Sequence, residues 1–189
     1  MTRKLLLTTV LILLVAYGHA QQTNSKRKKQ FYVTPGIEIL RSTHRNYFYS
    51  GSIKVNYLVQ NGLEPGIGIE FASAPLHKSN NYTLRNLRFS PIYANLRYTV
   101  KTRGKISPFA ETSLGISLNR YQSSYDFGPS EKKQVRESGF YTYFGLGVKF
   151  NLSPKMNALM GVGFKGYKMS LNDLDINPHG ISLNFGVVF

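Results

Sequence analysis

The chain of 189 residues contains no cysteine and no tryptophan, and its 9 acidic residues face 24 lysines and arginines. Each shortage excludes something. Without cysteine there is no disulfide framework, no thiolate zinc site and no cysteine nucleophile, so packing and hydrogen bonds alone must hold the fold. The shortage of acids leaves a formal charge of +15, a surplus that favours an anionic partner. Beyond residue 20, no apolar run approaches the ~20 residues that a membrane-spanning helix needs. No segment shows a helical period either.

The start of the chain reads MTRKLLLTTVLILLVAYGHAQQ. Arg3 and Lys4 form a charged head, Leu5 to Tyr17 an apolar run, and Gly18, His19 and Ala20 a small-residue cleavage site. The run is about 13 residues long, too short for a spanning helix and right for a secretory signal. Residues 1–20 are therefore expected to be removed, with cleavage after Ala20. Residues 21–29 are polar and basic without a hydrophobic period, and form a flexible lead-in. Its Lys26 to Lys29 run either meets anionic headgroups or is simply solvated. Residues 30–189 are the folded domain. In an exported protein the surplus of positive charge points to lipid phosphates or anionic glycans, and not to nucleic acid.

From Gln30 onward the period is two. Eight segments alternate, beginning with Phe31, Val33, Ile37 and Ile39, then Tyr47 to Val59, and Ile67, Ile69 and Phe71. The middle segments carry Ile92 to Val100, Leu114 to Leu118, and Phe144 to Phe150. Ala158 to Phe164 follow, and Ile181, Leu183, Phe185, Val187 and Phe189 close the chain. Connections alternate in length. QNGLEP, KTRGK and SPKM are short and hold the glycine and proline of tight turns. RSTHRN, SAPLHKSNNYTLRN, QSSYDFGPSEKKQVRES and NDLDINPH are longer or more polar. This is an up-and-down antiparallel meander with both termini on the short-turn side. Eight is the usual minimum for closing such a sheet into a barrel without edges.

Periodicity alone does not say whether the apolar face points in or out. The other face does. It is mostly Gly, Ser, Thr, Asn and Tyr, with nearly one charge per strand: Glu38, Lys54, Glu70, Arg97, Glu111, Lys149 and Lys165. Small residues suit a narrow lumen, and charges of both signs suit a buried ion-pair network. Aromatics mark the ends of the apolar face. Phe31, Tyr57, Tyr98, Phe150 and Phe189 lie toward the short turns; Tyr47, Tyr49, Phe71, Phe89 and Phe140 lie toward the long loops. Two aromatic girdles around an apolar band indicate an all-β, eight-stranded antiparallel up-and-down transmembrane β-barrel.

A signal segment, eight alternating strands and the terminal NFGVVF resemble the small outer-membrane β-barrel proteins of Gram-negative bacteria, over residues 30–189. OmpA-like, OmpX-like and porin-family barrels share this outline, as do lipid A-modifying barrel enzymes. The resemblance implies an integral outer-membrane protein, most often a monomer. It also implies that Phe189, with Phe185, forms a signal read by the outer-membrane assembly machinery.

For activity, the expectation is a non-enzymatic barrel with a structural and surface-interaction role and no cofactor or metal. A deacylase-like lipid A enzyme is the alternative, and a small-solute pore another. A deacylase would need a Ser–His–acid set at the outer rim. Ser42 with His44, and His179 with Ser182, lack an obvious acid, and His77 stands alone. Asp173 and Asp175 have no calcium-loop pattern around them. The glycines Gly66, Gly68, Gly145, Gly147, Gly161 and Gly163 leave room for water pockets in the lumen. On the long-loop side, Arg41, Arg45, Lys78, Arg85, Arg88, Lys132, Lys133 and Arg136 are candidate contacts for the phosphates of lipopolysaccharide, or else solvated loop residues.

Overall fold

The structure, a computed structural model, describes residues 31–43, 45–79, 82–125, 133–169 and 177–189. The signal segment 1–20, the lead-in 21–29, His44, Lys132, Asp173 and Asp175 lie outside the described residues. The elements are β1 (Phe31–Ser42), β2 (Tyr47–Tyr57), β3 (Leu63–Ser79), β4 (Tyr82–Thr99), β5 (Ile106–Tyr125), β6 (Lys133–Ser153), β7 (Met156–Tyr167) and β8 (His179–Val188). Each strand pairs antiparallel with the next, and β8 returns to β1, so the sheet closes as a barrel. The seam runs from Gly36↔Gly186 to Ser42↔Gly180. The terminal residue joins it: Phe189 N–H donates to the Val33 carbonyl at 3.1 Å.

The apolar face points outward. Ile37, Ile67, Ile92, Leu114, Leu146 and Ile181 are all exposed, while Asn56, Arg97, Ser117, Lys165 and Ser182 on the other face are at most 1% exposed. In water this would be an inverted protein; in a bilayer each backbone group is satisfied by the closed ladder and each apolar side chain meets lipid. Phe31, Tyr98 and Phe189 are exposed near the short turns, and the Phe31 and Tyr57 rings pack at 4.7 Å between centroids. Tyr47, Tyr49, Phe71 and Phe140 are exposed toward the other end.

Two sequence expectations need correction. Phe89 is not a girdle residue: it is 1% exposed and lies in the lumen. It stands three positions before outward-facing Ile92, so the period of two sends it to the opposite face. The second concerns the long connections. β3 with β4, and β5 with β6, continue as paired strands to Ser79↔Tyr82 and Ser123↔Lys133. The pairing of β2 with β3 stops at Tyr49↔Ser73, and that of β6 with β7 at Tyr141↔Tyr167. Four strands therefore stand taller than the rest. Arg85, Arg88, Lys133 and Arg136 sit on these strands and not in loops.

The alternation was hard to see there because it inverts. Above the lipid band Ala72, Ala74, Leu84 and Leu87 turn inward, while Ser73, Arg85 and Arg88 turn out. A bulge in β4 between Arg85 and Arg88 also shifts the phase by one residue. It is accommodated at Asn86, whose φ of 53° is left-handed and tolerated by asparagine.

The short turns set the opposite end. Between β2 and β3 the chain makes a 3₁₀ turn at Gln60–Gly62 with φ of 64° at Asn61 and 86° at Gly62. A Cβ on Gly62 would lie 2.2 Å from the Thr99 carbonyl oxygen, so only glycine fits.

The facing assignment gives a paired expectation. Val55 is exposed to lipid and its neighbour Asn56 is wholly buried. Val55→Arg should destabilise the barrel by roughly 2–4 kcal/mol near the bilayer midplane. Asn56→Val removes donors to the Glu64 carbonyl and to Asn95 Oδ1, and should cost about 1–3 kcal/mol. Urea titration of the two variants refolded into lipid vesicles checks both. An unperturbed Val55→Arg would mean that this face does not meet lipid.

Candidate functional site: the filled lumen and the basic rim

The lumen holds two ion clusters. The lower one is built by strand register. Glu64 on β3 lies opposite Arg97 on β4, and Arg97 lies opposite Glu111 on β5. Directly opposite residues on one face have their Cβ atoms about 5 Å apart, so an acid–base–acid row forms without further adjustment. Arg97 reaches Glu111 Oε2 at 2.7 Å and Glu64 Oε2 at 3.4 Å. Thr99 Oγ1 donates to Glu64 Oε1 at 2.9 Å. Two lysines then cross the lumen: Lys54 pairs with Glu111, and Lys149 Nζ lies 3.6 Å from Glu64 Oε1. Glu64 was not singled out from sequence because it sits in the turn motif QNGLEP, before the alternation of β3 becomes visible.

The upper cluster centres on Lys165, whose side chain is 1% exposed. Its Nζ lies 2.6 Å from Glu38 Oε1 and 2.8 Å from Glu70 Oε2. Tyr167 and Tyr141 hydroxyls donate to Glu70 at 2.6 and 3.2 Å. The ammonium also stands 5.5–5.9 Å from the ring centres of Tyr141, Tyr143 and Tyr167. The lower cluster has three bases against two acids and the upper one base against two acids, so the two together are neutral. All seven charges read from the sequence, Glu38, Lys54, Glu70, Arg97, Glu111, Lys149 and Lys165, fall in these clusters, with Glu64 as the eighth member.

Apolar groups close both ends. Toward the tall strands, Leu40, Phe48, Leu84, Leu87, Phe89 and Met169 are buried together. Phe89 stacks on Tyr167 at 4.7 Å and meets Phe48 at 5.8 Å. Toward the short turns, Phe109, Leu159 and Val188 pack with Tyr32. Much of the space beside the lumen glycines is occupied by rings, contrary to the expectation of water pockets there. A Cβ on Gly68 would lie 2.4 Å from the Tyr93 ring; on Gly145, 2.0 Å from the Tyr143 hydroxyl; on Gly147, 2.5 Å from the Phe109 ring. Small residues here let aromatic rings lie flat on the barrel wall. A polar cavity of about 20 Å³ remains between the clusters, lined by Glu38, Ser52, Lys54, Arg97, Glu111 and Asn184. That is room for about one water.

The rim histidine has different neighbours from those weighed in the sequence. His179 Nε2 lies 3.4 Å from Thr43 Oγ1, and its Nδ1 lies 2.8 Å from the Asn177 backbone oxygen. Ser42 Oγ accepts from Asn46 N–H at 3.2 Å, and Ser182 is buried in the lumen. Among the described residues no group of three His, Cys, Asp or Glu could hold a metal ion.

Among the described residues the exposed charge outside the barrel is basic. The described acids are Glu38, Glu64, Glu70, Glu111 and Glu137. The first four lie in the ion clusters, and Glu137 turns inward to accept from Tyr121 Oη at 3.1 Å. Arg41, Arg45, Arg85, Arg88, Lys133 and Arg136 are exposed at the tall-strand end, joined by Arg120, which the sequence reading did not include. Lys78 lies on β3 opposite Thr83.

An apolar exterior around a closed, charge-paired interior defines an integral membrane β-barrel. The chain belongs to the family of the outer membrane protein beta-barrel domain, whose model matches residues 9–189, and it is therefore an integral outer-membrane protein. Its fold is similar to Neisserial surface protein A (NspA), at TM-score 0.54 and 16% identity over 85% of this chain and 96% of that one. It is also similar to the outer membrane enzyme PagL, at TM-score 0.57 and 12% identity over 81% and 97%. A major outer membrane protein from Thermus thermophilus aligns at TM-score 0.54 and 7% identity over 84% and 98%. No curated protein matches the chain.

The upper cluster yields a stability expectation. Glu70, at 1% exposure, accepts from two tyrosine hydroxyls and is approached by Lys165 at both oxygens. Glu70→Gln leaves Lys165 with one carboxylate, and should cost roughly 3–5 kcal/mol, as for a broken buried pair. Glu38→Gln should cost less, because Glu38 is 10% exposed and has Lys165 as its ion partner. Unfolding midpoints in detergent check the order; a Glu70→Gln midpoint equal to wild type would show that the pairing is dispensable.

Proposed function

We propose that the protein is a non-enzymatic outer-membrane barrel with a plugged lumen. It works at the cell surface through its basic outer end, in contact with the anionic glycolipid of the outer leaflet. The observation that carries this reading is the segregation of charge and apolar groups. Among the described residues, paired ions and apolar clusters fill the interior and leave little room for a solute path. The exposed charge at the tall-strand end of the described residues is basic. The fold is shared with the enzyme PagL, but at 12% identity that likeness concerns the fold alone.

The protein reaches the membrane with residues 1–20 as a cleaved signal, residues 21–29 as a basic lead-in and residues 30–189 as the barrel. It acts as a monomer, since closure leaves no strand edge within the bilayer to pair with a second copy. Phe189 and Phe185 serve as the assembly signal. What supports this is the placement of Phe189: it is exposed at the closing seam, yet tied to Val33 through its backbone.

Single-channel recording in planar bilayers tests the plug. The wild type should show no large steady conductance, and a porin-sized one would end the plugged-barrel reading. A second measurement tests the terminal signal. Deleting Phe189 removes one lipid-facing side chain, worth about 1.5–3 kcal/mol if fully buried. The deletion should therefore still refold in detergent with a heat-modifiable gel band, yet fail to accumulate in the outer membrane of cells. Phe189→Tyr should restore delivery. Normal delivery of the deletion would leave Phe189 as girdle packing only.

A further inference from the structure

Three arginines stand in one cross-strand row on the outside of the tall sheet. Arg88 on β4 lies opposite Arg120 on β5, and Arg120 lies opposite Arg136 on β6. All three are exposed. Neighbouring strands are about 4.8 Å apart, so the row is about 10 Å long. Like charges directly opposite each other are unfavourable in a sheet. Nothing among the described residues offsets them: Glu137, next to Arg136 in sequence, turns inward to Tyr121, and the other described acids are in the lumen clusters. A row of guanidinium groups with no acid beside it among the described residues favours an anion.

Its height along the strands says which kind. Four residues along, in the same register, lie Ile92, Ile116 and Phe140, exposed at 61, 60 and 57%. Between the rows lie Ser90, Leu118 and Ser138. At about 3.3 Å per residue, and less along the membrane normal once the strands tilt, the arginines stand roughly 10–13 Å beyond that apolar row. An amphiphile with acyl chains against Ile92, Ile116 and Phe140 would bring its headgroup to the arginines.

We propose that Arg88, Arg120 and Arg136 form a binding row for the phosphate groups of a phosphorylated glycolipid in the outer leaflet. The guanidinium forks offer parallel donors that match phosphate oxygens, and adjacent forks can share one phosphate. Arg85, exposed on the same strand just beyond the bulge, extends the positive field. The proposal rests on the reading of the outer end as a glycolipid-contacting surface, and it places the contact on strands and not in loops.

The test is binding of diphosphoryl lipid A to the full barrel in detergent, with folding verified by heat-modifiability. Arg88→Gln/Arg120→Gln/Arg136→Gln should weaken binding by about tenfold or more. Lys101→Gln/Arg103→Gln/Lys105→Gln removes the same charge from the opposite end and should change it by less than about twofold. Dephosphorylated lipid A should bind the wild type weakly, and no more weakly to the triple arginine variant. Inorganic phosphate at millimolar level should not compete; full competition would identify a free-anion site and overturn the lipid assignment. If the triple arginine variant fails to fold, Arg120→Gln alone decides, since it removes the central fork. Undiminished lipid A binding by the arginine variant, with loss instead in Arg41→Gln/Arg45→Gln, would overturn the row and leave the basic-surface reading standing. No binding by the wild type would remove both.

Discussion

The structure depends on keeping ions inside a narrow barrel paired. Eight charged side chains form the two lumen clusters, and even the most accessible of them, Lys54, has only 16% of its side chain exposed. An isolated one would be prohibitive in a space of low polarity. The solution is local where the register allows it and global where it does not. Glu64, Arg97 and Glu111 meet because three adjacent strands place them side by side. Lys54, Lys149 and Lys165 meet their acids only because the sheet closes and brings remote strands face to face. Closure and ion pairing therefore require each other: an open sheet would strand the lysines, and unpaired lysines would resist closure.

The rest of the interior follows from the same constraint. Tyrosines suit it because each offers a ring to an ammonium and a hydroxyl to a carboxylate. Tyr141 and Tyr167 do both around Lys165 and Glu70. Glycines across the wall allow the rings of Tyr93 and Tyr143 to lie flat. The apolar clusters at Leu84, Leu87 and Phe89, and at Phe109 and Leu159, then shield the ions at both ends. Placing the described acids inside leaves the described outer surface positive, and so the lumen and that surface are two consequences of one distribution of charge.

That distribution also changes how the tall strands should be understood. Within the bilayer the sheet is apolar outside and polar inside. Above it, Leu84 and Leu87 face in while Arg85 and Arg88 face out, the arrangement of a sheet in water. The switch occurs within single strands, and the bulge at Asn86 falls where it happens on β4. A strand that crosses between two solvents must exchange its faces, and an extra residue is one way to help it do so.

Much of this was legible from residue order alone. A period of two needs no tertiary information, so Ile53, Val55 and Leu146 could be assigned to lipid and Lys54, Arg97 and Lys149 to the lumen from their parity. The eight strands and their short turns were legible for the same reason, since Asn61 and Gly62 dictate their own backbone. The extent of the tall strands was not legible, because the alternation there reverses its meaning and slips by one residue. Phe89 was misplaced by its hydrophobicity despite its parity. What only the tertiary structure decided was partnership. Which acid meets Lys165, why Glu64 matters, and why Arg88, Arg120 and Arg136 share one row all depend on strand register and closure. Those are set between residues tens of positions apart, where local periodicity carries no information.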